Sequence, residues 1–364
     1  EIEMSDTLKI HDYLDTHFQE NLEEMRRFLA QPGFSHTGEG VRETAEMALG
    51  YVKSLNPAEA ELVETDGNPV VYGKVLSKKP NVKTLIAYSL YDVVPVVEEE
   101  WTFPPMGGTI TDAEKIGVPP HLGKVLVSRG THNQRGPMLA FVQVLKAYQA
   151  VTGDIPVNVL FAWEGEEEIG CPHLLQFIQK KLDVLKTADA FYMPSMRDDE
   201  DGNLIVNRGY KGKLNVEIEI KGGEWGGRLD GKPLWAANTG WIDAPMHRMI
   251  RLLDTLFDEN QRVAIDGFYE NVRPYDDEDT ENMQNIKDTF NEDLFKKGLN
   301  INRFKNGMPG IEAIEDFIMA PCLNVCGIVG GYTGPRIFTT QPQKVITKMD
   351  FRLPPSVSSQ DALD

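Results

Sequence analysis

The chain has 364 residues, which is enough for two domains and a large buried core. Hydrophobic residues make up 41% of it and charged residues 26%, as in ordinary globular proteins, and no apolar run approaches the roughly 18–20 residues that span a bilayer. The formal net charge of −19 argues against nucleic acid and against an anionic membrane as partners.

The first half of the chain predicts helices that alternate with apolar strands. Apolar residues recur at helical spacing over 7–30, and further helices are predicted over 41–55 and 136–150. Strands bounded by Pro, Gly or Asp are predicted over 70–76, 83–88 and 156–163. This alternation predicts an α/β fold class with a mixed, largely parallel sheet flanked by helices.

A different pattern begins after residue 212. Residues 214–220 alternate apolar and polar side chains, which predicts a half-exposed antiparallel strand. An amphipathic helix over 245–257 follows, and two more strands are predicted over 323–329 and 345–353. We therefore expect an α/β domain over 1–212 and a small α+β domain over 213–364.

The chain has three cysteines, Cys171, Cys322 and Cys326, an odd count without the spacing of a disulfide framework. Cys322 and Cys326 lie in an apolar, strand-like run, so we predict that their thiols are buried. Free thiols favour a reducing compartment, and we expect a cytoplasmic protein.

Several short motifs follow one another in a fixed order. They are YSLYDVVP at 88–95, WTFPP at 101–105, SRGTHNQRGP at 128–137, EGEEEIG at 164–170, GGYTGP at 330–335 and DFRLP at 350–354. Together they resemble the M20 family of metallopeptidases and aminoacylases over nearly the whole chain. The resemblance implies a catalytic α/β domain with an inserted, ferredoxin-like lid domain. Because the family often dimerises through the lid, we expect a homodimer by analogy.

The family hydrolyses amide bonds with two zinc ions, and several of its metal ligands are replaced here. The resemblance places the first histidine ligand on Leu90, the bridging aspartate on Asn133 and a later aspartate ligand on about Ser195. These residue types are poor zinc ligands. The base glutamate and the next ligand glutamate fall on Glu167 and Glu168, which are retained. We therefore expect no metal cofactor, unless relocated ligands hold zinc or manganese.

Polar residues remain in the segments that would form the pocket. Glutamates at 164, 166, 167 and 168 follow a predicted buried strand, and because adjacent carboxylates repel, at least one should have a raised pKa suited to general acid or base chemistry. His132 or Arg135 could supply the positive charge that the metals provide in the family. Asp92, which orients the zinc histidine in the family, could instead serve as a turn or cap residue.

These considerations give two sets of candidate residues. The candidate catalytic residues are Glu167, Glu168, His132 and Asp92. The candidate substrate-binding residues are Asn133, Gln134, Arg135, Arg208 and Ser195.

Three functions remain open at this point. The first is an M20-like hydrolase that acts on a C–N bond of a small, amino-acid-like substrate by rebuilt, metal-independent chemistry. The second is a non-catalytic homologue that serves as a scaffold or ligand-binding subunit, which the replaced ligand positions favour. The third is a metal-dependent amidohydrolase with relocated ligands.

By the same resemblance, residues 356–364 begin a helix from which the chain would return to the catalytic domain. We expect that return to come from further chain or from another polypeptide, since the segment by itself would expose a sheet edge and core surface.

Overall fold

The computed structural model describes residues 4–195, 197–198, 202–207 and 209–364. The chain divides into two units, Glu1–Val206 and Asn207–Asp364, close to the boundary that we predict after residue 212. In the described ranges, no helix is both long and apolar enough to cross a membrane.

In the described part of the first unit, a group of helices precedes a group of strands, and helices and strands alternate only after that; in the second unit, a run of helices lies between two groups of strands. The α-helices are α1 Met4–Thr16, α2 Phe18–Ala30, α3 Val41–Lys53, α4 Arg135–Thr152, α5 Leu174–Leu185, α6 Pro245–Thr255, α7 Asp277–Thr289, α8 Glu292–Leu299 and α9 Gly310–Met319. The strands are β1 Glu59–Val63, β2 Val70–Val75, β3 Thr84–Leu90, β4 Thr109–Asp112, β5 Lys124–Val127, β6 Asn158–Glu164, β7 Ala190–Tyr192, β8 Arg197–Asp198, β9 Leu204–Ile205, β10 Gly212–Lys221, β11 Leu234–Trp235, β12 Cys322–Val329, β13 Thr340–Gln341 and β14 Lys344–Leu353.

Two predicted helices differ from the structure. The helix predicted over 7–30 is the pair α1 and α2, which meet at His17, where the backbone N–H, at 3.1 Å, and the ring nitrogen Nδ1, at 2.8 Å, both bond to the Tyr13 carbonyl oxygen. Residues 356–364 form turns instead of a helix. There the Asp361 carboxylate accepts hydrogen bonds from the Ser358 backbone N–H and hydroxyl, which favours a local turn.

The first unit is built on a mixed five-stranded sheet in the order β1-β2-β6-β3-β7. β3 runs parallel to β6 and β7, whereas β2 is antiparallel to β1 and β6, so the sheet is mixed as predicted but only half of its pairings are parallel. Apolar residues of α2, α3 and α4 pack on one face of this sheet, and those of α5 pack on the other. The sheet is therefore covered on both faces, as in other α/β folds.

The carboxyl ends of β6, β3 and β7 meet at one edge of this sheet, where α/β proteins usually place their ligands. Leu90, the last residue of β3, pairs in register with Glu164, the last residue of β6. This register brings the motifs at 88–95 and 164–170 side by side.

The second unit is built on the antiparallel sheet β10-β14-β12. Side chains along β10 alternate between exposed and half-buried, which confirms the predicted half-exposed strand. The prediction of two buried thiols was wrong, because β12 is an edge strand of this sheet: Cys326 is exposed and Cys322 is half-buried.

Glycine is required at residue 165 by close packing. A Cβ atom there would lie 2.3 Å from the Cζ atom of Tyr91, whose fully buried ring is held by a hydrogen bond from its hydroxyl to the Pro69 carbonyl oxygen. We predict that Gly165→Ala lowers the free energy of unfolding by about 1–3 kcal/mol. On α3, a Cβ atom at Gly50 meets nothing within 4 Å, so Gly50→Ala should raise the free energy of unfolding by up to about 1 kcal/mol. Urea denaturation of both variants tests this prediction. Denaturation midpoints that shift in the same direction for both variants would contradict it.

Candidate active site

Asp92 lies just beyond β3 and joins it to the loop that follows β6. Its side chain is fully buried, and its two carboxylate oxygens accept backbone N–H bonds from Glu167 at 3.3 Å and from Glu168 at 3.1 Å. Burial raises the pKa of Asp92, while these hydrogen bonds act in the opposite direction. Asp92 thus caps the short 3-10 turn Glu167–Ile169, which is the cap role that the sequence leaves open.

Glu167 and Glu168, here called the carboxylate pair, are half-buried at the start of this turn. Burial is the main cause that raises the pKa of each, followed by the charge of Asp92 for Glu167 and by the charges of Glu167 and Asp92 for Glu168. This confirms the prediction that at least one carboxyl in the cluster has a raised pKa. Such groups can hold or release a proton closer to neutral pH than an ordinary glutamate can.

The loop before α4 faces the carboxylate pair. The Asn133 side-chain amide donates a hydrogen bond to Glu168 Oε1 at 3.2 Å. Arg129 lies in the same loop, and its positive charge lowers the pKa of Glu168 against the effect of burial. The sequence did not point to Arg129, although a basic residue in this loop was the available signal.

The motif at 101–105 supports this loop. The Arg129 backbone N–H and the Ser128 hydroxyl both donate to the Pro105 carbonyl oxygen, at 2.6 and 2.9 Å. The Arg129 guanidinium carbon lies 5.1 Å from the centroid of the Trp101 ring. Two motifs that are apart in sequence therefore form one structural element.

Arg135 lies in the interior of the first unit. It is fully buried and donates hydrogen bonds to the backbone carbonyl oxygens of Tyr91 at 2.8 Å, Phe28 at 3.3 Å and Gln31 at 2.5 Å. Desolvation lowers the pKa of Arg135 to about 10, and the charge of Asp92 opposes this shift. Its position fits a structural role, and nothing in the geometry supports the prediction that it binds substrate.

The other predicted site residues are placed differently. His132 is exposed and makes no hydrogen bond or ion pair with any residue in the described ranges. Gln134 is 1% exposed at the start of α4, and Ser195 is buried beyond β7. Arg208 lies outside the described residues. These hydrogen bonds thus bring together Asp92, Asn133 and the carboxylate pair, while catalysis by His132 and substrate binding by the others remain predictions.

A second polar cluster lies at the end of β6, where Glu164 meets Tyr88, a contact that the sequence did not predict. The Tyr88 hydroxyl donates a short hydrogen bond to Glu164 Oε1, while Oε2 has no hydrogen-bond partner among the described residues. Glu164 is 2% exposed, and burial raises its pKa to about 7. Burial and the neighbouring Glu164 also raise the pKa of the Cys171 thiol to about 12. Cys171 therefore stays a neutral thiol, which is a poor nucleophile.

The donor atoms at this edge do not fit a zinc pair. Leu90 is fully buried and has no donor atom, and the amide of Asn133 is already engaged with Glu168. Both oxygens of Asp92 accept backbone N–H bonds. Over the described ranges, no group of three or more His, Cys, Asp or Glu side chains is arranged to hold a metal ion. The positions of Leu90 and Asn133 therefore offer no anionic or imidazole donor to a zinc pair.

Comparisons with known proteins identify several relatives, although no family model matches the chain. The M20 family metallo-carboxypeptidase Sso-CP2 from Sulfolobus solfataricus is 31% identical and superposes with a TM-score of 0.76, covering 94% of this chain and 73% of that one. The Cys-Gly metallodipeptidase DUG1 of Candida albicans is 25% identical over 93% of this chain and 70% of its own length. The Beta-Ala-His dipeptidase of Rattus norvegicus is 24% identical over 80% of this chain and 55% of its own length.

The raised pKa of Glu164 predicts a pH dependence of stability. Its pKa is about 7 in the folded chain against an ordinary value of 4.5, so the folded state binds the extra proton between these values. The stability that this proton confers is fully present below about pH 4.5 and is lost as the pH rises to about 7. Glu164→Gln, which stays neutral, should therefore become more stable than the parent chain above pH 7, by about 3 kcal/mol.

The measurement is urea denaturation of both chains at several pH values from 4 to 8. Glu99→Gln, on the exposed turn Glu98–Glu100, serves as the control and should show no such divergence. A stability difference between Glu164→Gln and the parent chain that stays constant over the range would show that Glu164 does not titrate there.

Proposed function

The chain belongs to the M20 family of metallopeptidases, and we propose that it hydrolyses the C–N bond of a small, dipeptide-like substrate at the site of Asp92, Glu167 and Glu168. The membership confirms the predicted family, the mixed α/β fold class and the prediction of a peptidase-type enzyme. The substrate class is proposed from the names of the relatives, two of which are dipeptidases.

One observation carries this proposal: the carboxylate pair is retained, and the backbone of both residues is hydrogen-bonded to buried Asp92. Asp92 accepts the backbone N–H groups of both glutamates, so the turn that presents them is fixed to the end of β3. A fixed carboxylate with a raised pKa is suited to take a proton from water and return it to a leaving group. A chain that had lost all use of this site would have no need of such an arrangement.

The proposed reaction uses Glu167 as the general base. Glu167 accepts a proton from a water molecule, whose oxygen attacks the carbonyl carbon while the carbonyl electron pair moves onto its oxygen. The tetrahedral intermediate then collapses, the C–N bond breaks, and Glu167 returns the proton to the leaving nitrogen. The products are a carboxylic acid and an amine, so that one water molecule is consumed in each turnover.

The relatives and the candidate site point to different answers on whether this chain needs a metal ion. The metallo-carboxypeptidase and the metallodipeptidase among the relatives favour a metal. The donor set argues against one, because the positions of Leu90 and Asn133 hold a hydrocarbon and an amide. Because these side chains belong to this chain, whereas the metal is named only for its relatives, we propose metal-independent chemistry.

A second candidate is a non-catalytic ligand-binding homologue. Leu90, at the position of the family's first histidine ligand, is fully buried and packed, so this corner of the pocket is closed to a metal. A pocket that keeps its polar residues but loses its metals can bind a small molecule without converting it. This alternative predicts saturable binding of a dipeptide without turnover.

The remaining expectations concern partners and location. We propose a small-molecule substrate, a cytoplasmic location and a homodimer formed through the lid domain over 213–364. The exposed apolar side chains of Val325, Ile328 and Val329 on the edge strand β12 support such an interface. Analytical ultracentrifugation would test the dimer.

Turnover without metal is the decisive test of the proposed chemistry. The purified chain, dialysed against chelator, should still cleave at least one member of a dipeptide panel that includes Cys-Gly and β-Ala-His. Elemental analysis of the same sample should find far less than one zinc or manganese per chain. Activity that disappears with chelator and returns with stoichiometric metal would support relocated ligands instead, and binding without cleavage would support the second candidate.

The role of Glu167 as general base predicts that its replacement lowers the turnover rate. Glu167→Gln keeps the shape of the side chain but cannot take a proton, so kcat should fall by roughly 10²–10⁴-fold. The substrate concentration at half-saturation should change little, because binding does not need the proton transfer. Glu99→Gln serves as the matched control for a lost surface charge and should keep full activity. An active Glu167→Gln variant would rule out Glu167 as the base.

A further inference from the structure

A cavity of about 430 Å³ lies in the second unit. Its lining residues fall in two segments of that unit, 262–275 and 315–321, and the second segment includes the end of α9. Small-molecule pockets typically have volumes of roughly 300–1,000 Å³. The proposed hydrolysis uses none of the lining residues, so a ligand of this cavity would occupy a second site.

Part of the cavity wall is apolar and is held by the core of the second unit. Tyr269 and Val272 line the cavity and also pack against the buried residues of that core. The Tyr269 hydroxyl accepts a hydrogen bond from the Val263 backbone N–H at 3.1 Å, and the Val272 backbone N–H donates to the Tyr269 carbonyl oxygen at 3.1 Å. Pro274 and Pro321 complete this wall, and their rings restrict the backbone. The cavity is therefore part of the packed structure.

Two groups of opposite charge line the cavity without ionic partners in the protein. The guanidinium carbon of Arg262 lies 5.2 Å from the centroid of the Tyr269 ring, which is a favourable contact for a cation. Asp316 lies in the last turn of α9. Among the residues that the structure describes, neither side chain has a hydrogen-bond or ion-pair partner. Each charge is therefore available to a ligand.

The other charged groups around the cavity are engaged by the protein. Arg273 forms an ion pair with Asp279 at 2.5 Å, and Glu315 forms one with Lys287 at 3.1 Å. The ammonium group of Lys211 donates to a backbone carbonyl oxygen at the end of α9. Among the described lining residues, the charges that remain for a ligand are thus one guanidinium and one carboxylate.

This lining favours a ligand that carries both charges. A guanidinium binds a carboxylate through two parallel hydrogen bonds, and a carboxylate pairs well with an ammonium group. The apolar side chains of Val272, Tyr275 and Met319 can cover a hydrocarbon or aromatic group. An apolar α-amino acid or a dipeptide combines these three features. A phosphate or a metal ion would instead leave one of the two charges unpaired.

We propose that this cavity is a second binding site, in which Arg262 binds the carboxylate and Asp316 binds the ammonium group of an apolar amino acid or dipeptide. The inference goes beyond the proposed hydrolysis and does not depend on it, because every residue that it uses lies in the second unit. A free amino acid and a dipeptide share this chemistry but differ in the separation of their charges, so the test uses both.

The test measures calorimetric binding of phenylalanine and of the dipeptide Phe-Leu to the full chain. N-acetylphenylalanine lacks the ammonium charge and phenylalaninamide lacks the carboxylate, and the same analogues of Phe-Leu are used if the dipeptide binds more tightly. The variants Arg262→Gln and Asp316→Asn each remove one charge of the site. Arg303→Gln and Glu312→Gln are the matched controls, since both residues are exposed in the second unit and neither lines the cavity.

We expect at least one probe to bind the parent chain, and its blocked analogues to bind at least about 10-fold more weakly. Arg262→Gln and Asp316→Asn should each weaken binding of the probe by about 10–100-fold, while both controls match the parent chain. Arg262→Gln should hardly change the affinity for the amide, which has no carboxylate to bind. Asp316→Asn should hardly change the affinity for the acetylated analogue, which has no ammonium group.

Thermal melting shows whether each variant is folded. Arg262→Lys and Asp316→Glu keep the charges and should retain part of the binding, so they carry the test if a neutral variant is unfolded.

Three results would overturn the inference. The first is a parent chain that binds neither probe at millimolar concentration. The second is blocked analogues that bind as tightly as the probe itself, since apolar contact alone would then explain the binding. The third is probe binding that Arg262→Gln and Asp316→Asn leave unchanged, which would place the ligand elsewhere, as in the candidate active site. None of these measurements depends on turnover, so the hydrolytic proposal fails or stands separately.

Discussion

The candidate site depends on one buried carboxylate, that of Asp92. The parallel register of β3 and β6 ends both strands at the same edge, and Asp92 then joins them by accepting the backbone N–H groups of the carboxylate pair. A buried charge costs several kcal/mol unless hydrogen bonds and a nearby opposite charge offset it. The two N–H groups and the charge of Arg135 supply that offset, so the turn is held by a group that cannot easily leave the interior.

Arg129 and Arg135 are six residues apart, yet their guanidinium groups have different surroundings. Arg135 points inward, and its guanidinium is taken up by backbone carbonyl oxygens of Tyr91, Phe28 and Gln31, so it stabilises the packing of three segments. Arg129 precedes α4 and lies on the Trp101 ring instead, while its Nε atom has no hydrogen-bond partner among the described residues. The two arginines thus contact backbone carbonyl oxygens in one place and an aromatic ring in the other. The sequence alone cannot separate the two, since the difference arises from tertiary packing.

The features that were predictable from sequence are those set by local pattern. Apolar runs and alternation located β2, β3, β6 and β10, and the crowding of glutamates after β6 indicated raised pKa values. The features that were missed depend on pairing between distant segments. Tyr88 meets Glu164 because β3 and β6 are neighbours, and Cys326 is exposed because β12 lies at a sheet edge. Neither the contact of Tyr88 nor the exposure of Cys326 can be predicted from the neighbouring residues in the sequence.

Burial and the crowding of carboxylates at one sheet edge together raise the pKa values of the site. Carboxylates gathered at a sheet edge must be neutralised, either by cations or by protons. Leu90 stands in register beside Glu164 and is fully buried, so a hydrocarbon side chain lies next to that buried carboxyl. Glu164, Glu167 and Glu168 all have raised pKa values, and burial is the largest cause for each of them. A carboxyl with a raised pKa keeps its proton to higher pH than an ordinary glutamate does, and this property suits the general acid–base hydrolysis proposed for the site.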